Sequence, residues 1–78
     1  MSPGIKDLCR QILVGAYMAG GKTTRGELGL AMRQLAWRPT RGEMTTALEH
    51  LEHEGRLEVV PASGSYRDFS DARISLTP

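Results

Sequence analysis

Seventy-eight residues, 40% of them hydrophobic and only four aromatic, with a formal charge of +1, point to one domain with a core of about a dozen side chains, because a chain this short buries only about two thirds of its extended surface. That size excludes a second domain and a large substrate cavity. A single cysteine excludes an internal disulfide or a cysteine zinc site, and no apolar run approaches the roughly 20 residues needed to span a bilayer.

The small net charge hides an uneven distribution. Residues 1–41 carry seven lysines and arginines against two acids, and residues 42–78 carry three against seven, so the halves hold +5 and −4. A dipolar chain of this kind can offer a basic face to nucleic acid and an acidic face to a basic protein. With no export-type sequence at the start, the expected compartment is the cytoplasm, without a membrane partner.

After a lead-in of residues 1–4, Ile5, Leu8, Cys9, Ile12, Leu13 and Ala16 form one apolar stripe, which predicts a helix over about 4–18. Cys9 lies on that stripe as a core thiol. Val14 and Met18 fall on the far side, where they are either buried from a second direction or available to another chain. Gly21-Lys22-Thr23 resembles the tail of a nucleotide-binding loop, but the pattern needs a glycine at position 16, which is Ala16, and a preceding strand. Residues 19–24 are therefore expected to be a flexible turn.

Thr24-Arg25-Gly26-Glu27 and Thr40-Arg41-Gly42-Glu43 share the form of a capping box. Each predicts a helix start, giving helices over about 24–36 and 40–54. Trp37-Arg38-Pro39 is the connector, since the residue before proline leaves helical conformation. Leu30 points away from the second stripe, and Trp37 covers the corner between the two helices. Together with Val14 and Met18 they are the best candidates for self-association into a homodimer.

In the third helix Met44, Ala47, Leu48 and Leu51 share one side, Gly55 supplies a left-handed close, and Leu57, Val59 and Val60 resume as a strand. Pro61 to Ser65 forms a turn, and Tyr66 and Phe69 belong to a returning strand, so the hairpin spans about 56–69. Residues 70–78 trail behind it, either adding a third strand or lying loose.

Three helices followed by a hairpin resembles the winged-helix family, the winged helix-turn-helix of small bacterial and phage regulators, with Ala47 to Val59 looking like its recognition helix and first wing strand. The resemblance implies an α+β fold and a double-stranded DNA-binding transcriptional regulator, possible in a phage or prophage. It places Arg41, Thr45, Thr46 and Glu49 toward the major groove, and Lys22, Thr24, Arg25 and Arg38 toward phosphates. Ser63, Ser65, Tyr66 and Arg67 would form the wing contacts.

The outward face of the third helix is short of the side chains best suited to base edges. Its Glu49, Glu52 and His53 suit a second reading, a protein-interaction module or inhibitor that meets a basic protein surface. Enzymatic chemistry has no stated mechanism, because no serine, cysteine or lysine has an activating partner. His50 and His53 do not form a metalloprotease H-E-x-x-H, so neither metal nor cofactor is expected.

Overall fold

The computed structural model describes residues 4–34, 39–64, 66 and 69–77. Three helices, α1 (Ile5–Met18), α2 (Arg25–Gln34) and α3 (Arg41–His53), and three strands, β1 (Lys22–Thr24), β2 (Leu57–Val60) and β3 (Arg73–Leu76), follow one another in the order α1-β1-α2-α3-β2-β3. The strands form one antiparallel sheet in the order β1-β3-β2, so the class is α+β. Leu35, Ala36, Trp37, Arg38, Ser65 and Arg67, to which expectations were attached, lie outside the described residues.

Helices α1 and α3 end in the same way. After α1, Gly20 donates to the Tyr17 carbonyl and Gly21 to that of Ala16; after α3, Gly55 donates to Glu52 and Arg56 to Leu51. These are the paired bonds of a Schellman close, and they need a left-handed residue just past the helix. Gly20 (φ +89°) and Gly55 (φ +74°) supply it, where a Cβ would cost about 1–2 kcal/mol. Both closes feed the chain straight into a strand.

The expected flexible turn at 19–24 is thus only partly a turn. Lys22, Thr23 and Thr24 pair with Ser75, Ile74 and Arg73, and Leu76 extends the ladder by donating to the Gly21 carbonyl. The returning strand also differs from expectation. It is Arg73–Leu76, in register with Leu57–Val60, and Tyr66 and Phe69 sit in the connection. Their rings meet edge to face, with centroids 5.1 Å apart, an arrangement favoured by the aromatic quadrupole. The trailing segment therefore holds the central strand.

The two Thr-Arg-Gly-Glu starts are not equivalent. At α3 the box is complete: Glu43 donates its amide to Thr40 Oγ1 (3.1 Å), and the Thr40 amide donates to Glu43 Oε1 (2.8 Å). At α2 only half forms. Glu27 donates its amide to Thr24 Oγ1, while its carboxylate accepts from the Thr23 hydroxyl at 3.0 Å. Thr24 is also the last residue of β1, and the neighbouring strand residue competes for the carboxylate.

The core lies where α1, α2 and α3 meet the inner face of the sheet. Leu8 and Ile12 of α1, Leu28 and Met32 of α2, Leu48 and Leu51 of α3, and Leu57 and Ile74 of the sheet are its main members. The first residue of β2 and alternate residues of each strand face inward, leaving Glu58, Val60 and Arg73 outward. Gly15 marks the closest approach of α1 to α2, because a Cβ there would stand 3.0 Å from Leu28 Cδ2.

Candidate nucleic-acid interface

Helix α3 is fixed at its start by a buried arginine. Arg25, the first residue of α2, is only 8% exposed, and its Nη2 donates to the Arg41 carbonyl (2.9 Å) and to Thr45 Oγ1 (2.7 Å). Charge-assisted bonds of this kind are short and strong. They join the first residue of α2 to the first two turns of α3, at residues sixteen and twenty positions further along the chain. Arg25, expected to meet phosphate, is instead a strut between helices. Thr45, expected at the major groove, accepts one of its bonds.

The start of α2 is closed to anions as well. Its first amides are taken: Arg25 donates to the Ala72 carbonyl, Gly26 to that of Ser70 and Glu27 to Thr24 Oγ1. The end of the β2–β3 connection thus lies against the helix start. Gly26 permits the approach, since a Cβ there would stand 3.1 Å from the Ser70 carbonyl oxygen. Thr24 serves as the cap.

The start of α3 is different. Among the described residues, the amides of Arg41 and Gly42 carry no hydrogen bond, and both residues are exposed. Beside them, Arg33 from the last turn of α2, Pro39 and Arg41 line a cleft of about 310 Å³. Arg33 was absent from the expected set. Its signal is the strip Gly26, Gly29, Arg33 on one side of α2, where two glycines leave the backbone bare below an arginine.

A second groove, about 460 Å³, runs between α3 and the β2–β3 connection, over Leu48 and Val59 and between Glu49, Glu52 and Tyr66. Thr46, Glu49 and His53 are exposed along the same helix, as is Ser63 in the connection. Lys22 stands apart. It pairs with Ser75 at the end of the sheet away from the connection, whereas Thr24 and Val60 flank Arg73 at the near end. Arg73 is a basic residue near this site that the sequence reading left out.

Of the residues expected at a self-contact, Val14, Met18 and Leu30 are all exposed. Cys9 is buried, and its thiol donates to the Ala47 carbonyl. Burial and the nearby Glu54 carboxylate raise its pKa above the ordinary thiol value, and a backbone hydrogen bond offsets part of that rise. No group of three His, Cys, Asp or Glu side chains among the described residues is placed to share a metal ion. Among the same residues no helix is long and apolar enough to cross a membrane.

The fold and this site define a small α+β chain with two helices locked at their starts beside a long hairpin connection. Comparison with protein-family models, with curated proteins and with solved structures found no match.

Proposed function

We propose that the chain is a winged-helix protein that binds double-stranded DNA and acts as a transcriptional regulator. In this reading the first half of α3 lies against the duplex and residues 61–72 form the wing. The observation that carries the proposal is the start of α3, where two unbonded amides, Arg41 and Arg33 face outward together while Arg25 holds the helix in place from behind. Backbone amides at a helix start and arginines are the groups that grip phosphate, and a rigid mounting sets the register of such contacts. Three helices and an antiparallel three-stranded sheet are compatible with the winged helix.

The phosphate grip is small, so affinity is expected to be modest and steeply dependent on salt. Anisotropy titration of a labelled duplex of about 20 base pairs should show binding at about 50 mM salt that weakens toward about 200 mM. Arg41→Ala should lower the slope of log affinity against log salt by about 1. Charge reversal of Arg33 and Arg41 together should abolish binding. Absence of binding by the unaltered chain at the lower salt would reject the proposal.

A second reading has its own support. Glu49 and Glu52 border the groove that Tyr66 closes, and carboxylates near a phosphate-lined groove oppose binding. A basic protein surface would find them complementary.

A further inference from the structure

At the opposite end of α3 a third groove opens against α1, with a volume of about 460 Å³ and an almost wholly apolar lining. Cys9 and Leu51 form its floor, and Ile5 and Val14 its walls, with half of Val14 left exposed. The apolar surface continues past Val14 through Tyr17 and Met18, three and four residues on, which are 75% and 79% exposed. An uncovered apolar strip of this kind on so small a protein marks a contact surface.

Charge says what covers it. Lys6 and Arg10, one turn apart on α1, and Arg56, just after α3, stand around the groove. Glu54 is its one carboxylate, and it already faces His50 Nε2 at 3.3 Å and Arg56 Nε at 3.8 Å. Lys6 and Arg10 have no ion pair among the described residues. The rim is therefore net basic over an apolar floor. A second copy docking by two-fold symmetry through this groove would set one net basic rim against another. The carboxylates Glu49 and Glu52 of α3 border the separate groove over Leu48 and Val59.

We infer that the α1–α3 groove docks an acidic amphipathic helix of a partner protein. Its apolar stripe covers Ile5, Val14 and Leu51, and its flanking carboxylates meet Lys6 and Arg10. Helix-in-groove recognition uses apolar anchors at i, i+3 and i+7, with flanking charge setting partner choice. The groove lies at the end of α3 away from Arg41, so this contact is independent of the DNA reading.

The test uses the full chain and a labelled peptide of about 18 residues, roughly five helical turns, with leucines at i, i+3, i+7 and i+10 flanked by glutamates. A second peptide has lysine in place of every glutamate. Anisotropy should show saturable binding of the glutamate peptide, and the lysine peptide should bind at least about tenfold more weakly. The double variant Lys6→Glu with Arg10→Glu, and Val14→Glu alone, should each weaken the glutamate peptide about tenfold or more. All three sites are exposed, and an unchanged thermal melt verifies the fold of each variant. The double variant should keep the duplex affinity of the unaltered chain, which separates failure here from failure of the DNA proposal. Equal binding of the two peptides, absence of saturable binding, or binding that survives the charge reversal would each overturn the inference. So would sedimentation showing that the chain alone dimerises through Val14 and Met18.

Discussion

Arg25 carries a positive charge into the interior at a helix start, the end where the helix dipole favours negative charge. Part of what offsets that cost is the geometry of two of its acceptors, a main-chain carbonyl and a hydroxyl in the first two turns of α3. Arg25→Ala would leave the Arg41 carbonyl without this donor and open space between the helices. The expected loss of stability is about 2 to 3 kcal/mol. Arg25→Lys should recover only part of it, because an ammonium lacks the planar fork that reaches two acceptors in fixed directions. Urea denaturation of the three proteins checks both statements, and equal midpoints for the alanine variant and the parent would remove the strut from the account.

Local sequence sets the helix ends more firmly than it sets the strands. Thr40 and Glu43 satisfy each other's amides, so Thr40→Ala should cost about 1 kcal/mol. Thr24→Ala removes only one capping bond from a start whose other amides bond to Ser70 and Ala72, and its cost should be the smaller of the two. Thermal melts of both variants compare them directly, and a larger loss at Thr24 would contradict this ranking. The helices, the complete cap of α3 and the Gly55 close were legible because each is decided within a few neighbouring residues, whereas the box at α2 forms only by half and the stretch holding the Gly20 close reads locally as a flexible turn. Strand β1 was not legible. Three residues give no periodicity, and its partner β3 lies about fifty residues away along the chain. The returning strand was misplaced for a related reason: Tyr66 and Phe69 have strand-like propensity, yet they pack on each other in the connection, while Ile74 fits the centre of the sheet.

At the scale of the molecule, the exposed basic side chains among the described residues divide among three surfaces, with Arg33 and Arg41 by the start of α3, Lys22 and Arg73 on the outer face of the sheet, and Lys6, Arg10 and Arg56 around the α1–α3 groove. The carboxylates of Glu49 and Glu52 lie between the first and the hairpin connection. Their charge therefore decides between the two functional readings. Changing both to arginine should strengthen duplex binding about tenfold or more if DNA is the ligand, because two repulsive charges become attractive. If the ligand is a basic protein, the same variant should lose its partner in pull-down from the native host. Unchanged DNA affinity together with unchanged capture of every partner would dismiss this face from both readings.

The apolar stripes, the capped start of α3 and the left-handed close at Gly55 rest on residue spacing and on the conformational range of glycine, and local sequence suffices for them. The roles of the charged residues follow from tertiary packing. Arg25 and Arg41 occupy the same place in two like motifs, yet one is buried as a strut and the other faces solvent. Among the described residues, the return from the hairpin bonds to the backbone at the start of α2 and not to that of α3. Burial of a charge depends on which distant segment covers it, and no local pattern contains that information.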